Sequence, residues 1–317
     1  MDGHRDKGIL NEHSQLEDEL SEVLRFFDLG RLDRYRRAGG FANENYFVSA
    51  ESGQYVVKFL RERSVSDVLS ELPYLERVAE YGFPAVPYLQ AHGQCVFEQE
   101  GFAAVAMKQI DAEPPDRKIT SVVMAEALAK LHSVPHTGLK RRTGFLSGDF
   151  IAKSIESLVL QVPGEDLKPY IEAQDRLAGF IGSLETKETS IIHCDFTPNN
   201  CLFRSNRLVG VIDWEEVTVG YPLLDLANLM LSTCFVESKF DRDLLNEIAA
   251  SYERSRKNGA LDYERLSNAL RMAGLCFSLW VYLRWGVGSD DPFIVRSRQF
   301  YWEQGLEDLE LTPFVDG

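Results

Sequence analysis

Cysteine is sparse. The 317 residues hold five, Cys95, Cys194, Cys201, Cys234 and Cys276, widely spaced and with no C-x-x-C. An odd, scattered set excludes a disulfide framework and a zinc site, and it fits a reducing compartment, so the expected location is the cytoplasm. Long apolar runs are missing too: the longest, Ala273 to Leu283, falls well short of the ~20 residues a membrane-spanning helix needs. The opening Met1-Asp2-Gly3-His4-Arg5-Asp6 has mixed charge with no apolar segment behind it, so no signal peptide is expected. Positive charge is in deficit, 34 Lys and Arg against 49 Asp and Glu, for a net charge of −15. A field of that sign repels nucleic acid and anionic membranes, and neither is expected as a partner. Neither G-x-x-x-x-G-K-[ST] nor G-x-G-x-x-G occurs, which disfavours P-loop and dinucleotide-binding folds.

The 44% apolar and 26% charged residues are those of a folded protein, and the length suggests two lobes, each with its own core. The first dozen residues are polar. A helix is predicted from Ser14, whose hydroxyl and Glu17 form a capping box, with Leu16, Leu20, Val23, Leu24 and Phe27 on one face and Gly30 ending it. Strands are predicted at 45–48 and 54–59 around a turn at Glu51-Ser52-Gly53, and again at 96–97 and 102–110. A helix over 67–81 is closed by Gly82 and Pro84. Beyond Asp111-Ala112-Glu113-Pro114-Pro115, helical periodicity dominates over 121–132, 165–184 and from 242 onward, around one β-rich island at 191–214. The expected organisation is an N-terminal extension and helix over 1–30, a small sheet lobe over 31–112 and a helical lobe over 113–317.

The island carries the chemistry. Strands around 201–203 and 208–212 flank a polar turn; with Asn206-Arg207 as the turn, 205 pairs with 208 and 200 lies opposite 213. Asn200 and Asp213 then stand side by side at the open end of the hairpin, beside the loop bearing Asp195. Two carboxylates and an amide oxygen suit Mg²⁺, which takes a few hard oxygen donors and leaves the rest to water and substrate phosphates. A carboxylate left off the metal can accept the proton of an attacking hydroxyl, the layout of phosphoryl transfer. Such chemistry also needs a strand lysine steadied by a helix glutamate. Lys58 ends the run Tyr55-Val56-Val57, and Glu71 lies on the following helix, with Glu76 as a rival partner. Gly39 to Asn45, including Gly40 and Asn43, offers a flexible loop for phosphates.

His193-x-Asp195-x-x-x-x-Asn200, Val211-Ile212-Asp213-Trp214 and Gly220-x-Pro222-x-x-Asp225-Leu226-Ala227 resemble the aminoglycoside phosphotransferase/choline kinase family of protein-kinase-like small-molecule kinases. Residues 40–48 (Gly-Phe-Ala-Asn-Glu-Asn-Tyr-Phe-Val), 71–75 (Glu-Leu-Pro-Tyr-Leu) and 127–132 (Ala-Leu-Ala-Lys-Leu-His) are similar to its type II homoserine kinase branch. The resemblance spans roughly residues 35 to 230. It implies an α+β, two-lobed kinase-like fold that uses ATP and Mg²⁺ to phosphorylate a hydroxyl of a small molecule. It assigns Asp195 as catalytic base, Asn200 and Asp213 as metal ligands, and Lys58 with Glu71 to the α/β-phosphates. Backbone groups near Lys108 and Ile110 are assigned to adenine, and His193 and Asp225 to bracing the catalytic loop.

The expected acceptor is homoserine. The acidic balance keeps choline, ethanolamine and aminoglycosides as alternatives, with a protein kinase or a non-catalytic ATP-binding module of the same fold beyond them. A monomer or homodimer is expected. The chain departs from the family's usual pattern at Cys194, expected to be buried and inert, at Trp214 and at Lys108.

Overall fold

The structure, a computed structural model, describes residues 5–39, 44–114, 116–184, 188–236, 239–256 and 259–311. The chain forms two compact units, residues 1–72 with 85–111 and residues 73–84 with 112–317.

The N-terminal unit is a five-stranded antiparallel sheet, order β1-β2-β3-β5-β4, built from β1 (Leu32–Arg37), β2 (Glu44–Ala50), β3 (Gly53–Phe59), β4 (Phe97–Gln99) and β5 (Phe102–Lys108). Helix α1 (Arg5–Phe26) brings Leu20, Val23, Leu24 and the trailing Phe27 onto Tyr46, Val48, Tyr55, Val57 and Phe59. Full burial of such side chains is worth about 1.5–3 kcal/mol each, enough to dock the helix on the sheet. Helix α1 does not begin at Ser14 but runs through it: no proline in the residues ahead stops the helix, and serine inside a helix costs well under ~1 kcal/mol relative to alanine. Its end is also set differently from expectation. Asp28 takes the left-handed conformation at φ 56°, and Leu29 N–H returns to the Leu24 carbonyl at 2.9 Å, a Schellman closure completed before Gly30. Strand β1 is absent from the sequence reading. Its Leu-Asp-Arg-Tyr-Arg-Arg lacks alternation because the register shifts between Leu32 and Arg34, leaving only Leu32 and Tyr35 half-buried.

Helix α2 (Val65–Glu80) contains Pro73, where one unit gives way to the other. It ends as predicted at Gly82, whose φ of 71° and the Phe83 N–H bond to the Val78 carbonyl close the last turn.

In the C-terminal unit, α3 (Arg117–His132), α6 (Pro222–Cys234), α7 (Arg242–Ser255) and α8 (Tyr263–Val281) make the core, with α4 (Gly148–Val159) and α5 (Gly164–Ser183) against it. Each of α3, α4, α7 and α8 opens on a side-chain cap, from Asp116, Ser147, Asp241 and Asp262. The segment 263–286 is, by length and hydropathy, apolar enough to cross a membrane, which its shorter strictly apolar run is not; it is mostly buried inside the protein. Strand β6 (Ser190–Ile192) pairs with β9 (Thr218–Gly220), and β7 (Cys201–Arg204) with β8 (Arg207–Val211).

The β7–β8 hairpin corrects the expected register. Its turn is Ser205-Asn206, at φ 49° and 59°, with Arg204 paired to Arg207. Such a turn needs positive φ at both central residues, which Asn206 tolerates and a following strand arginine does not supply. A bulge between Leu202 and Phe203 takes up one residue of the offset, and Ile212 N–H bonds the Asn200 carbonyl at 3.0 Å. Asn200 therefore lies opposite Ile212, with Asp213 next in line rather than directly across.

Candidate active site

In the N-terminal unit the β2, β3 and β5 registers set Asn45, Lys58 and Val105 in one row, and Phe47, Val56 and Met107 in the next. Both rows lie on the sheet face opposite the one covered by α1, since side chains alternate along a strand. Lys58 is buried, 7% exposed. Glu71, on α2, is wholly buried, and its carboxylate accepts from the Arg63 guanidinium and, at 2.9 Å, from the Tyr88 hydroxyl. Neither partner was foreseen: Arg63 sits in a loop and Tyr88 lies 17 residues away.

Gln109 N–H bonds the Gln54 carbonyl, so the 54/109 pair is a bonded one and the alternate 55/108 pair is not. The backbone groups of Lys108 therefore turn away from β3, on the side where the Ala106 carbonyl accepts from Leu89 N–H. Ile110 follows at the same parity. Gly40 and Asn43 fall outside the described residues.

In the C-terminal unit, Asp195 follows β6, Asn200 closes a 3₁₀ turn at Pro198–Asn200, and Asp213 follows β8 in the left-handed conformation at φ 65°. The structure brings all three together. Asn200 Nδ2 donates to Asp195 Oδ2 at 2.6 Å and to the Asp195 carbonyl at 2.9 Å. With the amide nitrogen committed, the carbonyl oxygen is the donor Asn200 has to offer a cation. Burial pushes the half-buried Asp195 carboxyl above the ordinary range, and the nearby Asp213 charge adds to this. His193 and the Asn200 bond pull it partly back. Among the described residues no group of three or more His, Cys, Asp or Glu side chains gathers as a metal cage. The donor set on hand, one amide oxygen and the Asp213 carboxylate, fits an ion that draws its other ligands from water and phosphate, as Mg²⁺ does.

The loop is braced from below. Asp225, fully buried on α6, accepts from His193 N–H at 2.6 Å and Cys194 N–H at 2.7 Å. His132 on α3 donates from Nε2 to the same carboxylate at 3.3 Å and accepts at Nδ1 from the Tyr252 hydroxyl at 2.7 Å. The tautomer follows from the carboxylate, which can only accept. His193 accepts from Asp195 N–H at Nδ1 and lies against the Ile212 carbonyl through Nε2, its ring packed on Trp214 at 4.6 Å. Cys194 is held left-handed at φ 68°, a conformation costly to a non-glycine residue and sustained by these bonds. Burial raises its thiol well above the usual range. Glu216 accepts from Phe145 N–H at 3.0 Å, which ties the turn after Asp213 to the segment ahead of α4. His132 was visible in the sequence only as a motif letter, and Tyr252 carried no signal, because a 120-residue separation hides their contact.

The sequence matches the model of the phosphotransferase enzyme family (APH) over residues 35–267. Among curated proteins it is 26% identical over 270 residues to the homoserine kinase of Pseudomonas aeruginosa, covering 83% of this chain and 84% of that protein. It is likewise 26% identical over 278 residues to the homoserine kinase of Polaromonas naphthalenivorans, covering 84% and 87%. Among solved structures it resembles amicoumacin kinase hAmiN in complex with AMP-PNP, Ca²⁺ and Ami, at TM-score 0.72 and 12% identity, over 96% of this chain and 98% of that one. It also resembles choline kinase LicA of Streptococcus pneumoniae, at TM-score 0.68 and 20% identity, over 94% and 100%. The expected kinase-like fold, a small antiparallel sheet lobe and a helical lobe, is the one these neighbours share.

Proposed function

The chain belongs to the phosphotransferase enzyme family and is a small-molecule kinase, and we propose that it transfers the γ-phosphoryl group of ATP to the hydroxyl of homoserine in the cytoplasm. The observation that carries the catalytic centre is the Asn200 clasp on Asp195, with Asp213 one residue beyond the Asn200–Ile212 bond. Homoserine rests on the curated relatives, homoserine kinases that this chain matches over 84% and 87% of their length.

In this reading Asp195 orients the acceptor hydroxyl and takes its proton; a carboxyl raised by burial is a better base than an ordinary one. Asn200 and Asp213 would hold Mg²⁺, which when bound neutralises charge on the ATP phosphates. Lys58 engages the α/β-phosphates and is steadied by Glu71. The outward backbone groups of Lys108, and Ile110 beyond it, receive adenine. Catalysis comes from positioning and from charge placed in advance, as suits a loose transition state with little covalent work for the protein. Five buried thiols and no disulfide fit a reducing cytoplasm.

The test is ADP release from MgATP with homoserine, choline, ethanolamine, methylthioribose and several aminoglycosides in turn, with Asp195→Asn as control. Homoserine-dependent release that the substitution abolishes is the expected result. Release that follows an amino alcohol instead, as the net charge of −15 would favour, moves the substrate and leaves the chemistry. Release that survives Asp195→Asn refutes the catalytic assignment.

A further inference from the structure

We infer that Arg63 is a positioning residue that keeps the buried Glu71 carboxylate paired and fixed, so that Lys58 can be given over to the phosphates of the nucleotide. The inference rests on the proposed pairing of Lys58 and Glu71 with ATP and adds a residue to it.

Glu71 has no exposed surface. A carboxylate taken out of water costs several kcal/mol unless it is paired, and breaking a buried pair by removing one partner is more damaging than never having had it. If the Lys58 ammonium were its sole counter-charge, every nucleotide that drew Lys58 toward phosphate would leave Glu71 a bare buried anion. The structure supplies a second cation. Arg63, whose side chain is 11% exposed, forms an ion pair with Glu71, and the Tyr88 hydroxyl donates to the other carboxylate oxygen. A carboxylate accepts about four hydrogen bonds, so these two partners leave capacity for the lysine.

Arg63 suits this task better than a second lysine would. Its guanidinium stays charged at any working pH and is less strongly hydrated than an ammonium, so it bears burial better. Its place in the chain is fixed as well. The next residue, Ser64, donates from its backbone N–H and its hydroxyl to Asp67 Oδ2 at 2.8 and 2.7 Å, while Asp67 N–H returns to Ser64 Oγ at 3.2 Å. That reciprocal cap ties the loop carrying Arg63 to the first turn of the helix that carries Glu71. Arg63 and Glu71 therefore move as one piece, and Tyr88, on the segment leading to β4, pins that piece from a separate stretch of chain.

The test measures AMP-PNP binding with Mg²⁺ by calorimetry, together with steady-state KM and kcat, on wild type, Arg63→Met, Arg63→Lys, Tyr88→Phe and Glu71→Gln. Arg63→Met is expected to weaken nucleotide binding about 10-fold or more, the scale of one charge-assisted contact, while the acceptor KM stays within about twofold. Arg63→Lys should recover part of the loss, and Tyr88→Phe should cost less than Arg63→Met. Should Arg63→Met fail to fold, Arg63→Lys and Tyr88→Phe carry the test, and unchanged nucleotide affinity in both overturns the inference. If Glu71→Gln weakens nucleotide binding but Arg63→Met does not, Arg63 has no positioning role and the Lys58–Glu71 reading stands. If Glu71→Gln itself leaves nucleotide binding unchanged, that reading fails first and the role of Arg63 falls with it.

Discussion

Asp225→Asn tests how the catalytic loop is held. In the native protein the two oxygens of Asp225 take the N–H groups of His193 and Cys194, at 2.6 and 2.7 Å, in a site with no exposure. Hydrogen bonds to a buried charge are worth about 1.5–3 kcal/mol each. Asparagine keeps the shape but offers one oxygen and one NH₂. One backbone N–H then meets a neutral acceptor and the other meets a donor, so it is left buried and unsatisfied. One weakened bond and one orphaned donor together cost about 3–5 kcal/mol of folding free energy. The same two residues immediately precede Asp195, and Cys194 sits at φ 68°, a conformation with a strong tendency to relax once its restraint is lost. A shift of about 1 Å in a reacting group costs on the order of 100-fold in rate. The assays are urea unfolding followed by circular dichroism, and kcat at saturating MgATP and acceptor. A variant with native unfolding free energy and native kcat would falsify the claim that Asp225 holds the loop.

Asp195→Asn should abolish phosphoryl transfer yet raise the melting temperature. The folded protein raises this carboxyl, so its charged form is destabilising once pH exceeds the unfolded value, and the gain from neutralising it should shrink in acid. By the same sign, the acidic limb of kcat/KM should lie above the range of an ordinary carboxylate, and a limb at or below that range contradicts the raised base. The native protein should react with essentially no Ellman's reagent at pH 8, and with five equivalents once unfolded. Burial holds back the thiolate, raising Cys194 and Cys201 and pushing Cys234 and Cys276 up to about 12; a fast-reacting native thiol contradicts this. Replacing Ser205 by Asn and Asn206 by Gly should stabilise the C-terminal unit by up to about 1 kcal/mol, because Asn-Gly suits the left-handed pair that the β7–β8 turn requires; a lower denaturation midpoint would count against the observed register.

The sequence by itself determined the parts that depend on short range. Runs rich in β-branched and aromatic residues specified β2 and β3 and the helical period specified α3 and α5, because these signals are local consequences of strand and helix geometry. The motif residues Asp195, Asn200 and Asp213 were legible because two strands and one tight turn are enough to bring them together. Even there the offset was one residue wrong, since the choice of left-handed residues and a bulge is decided by φ and not by composition. Strand β1 was hidden because its bulge breaks the alternation, and the continuation of α1 past Ser14 because a capping residue, though best at a helix start, costs little inside one. What only the tertiary structure decided is which charges meet. Arg63 and Tyr88 on Glu71, and Tyr252 and His132 beneath Asp225, are pairings across 8, 17, 120 and 93 residues. A buried carboxylate must find partners wherever the fold brings them, so the need for a partner can be read from a sequence, while its identity depends on how the chain closes in space.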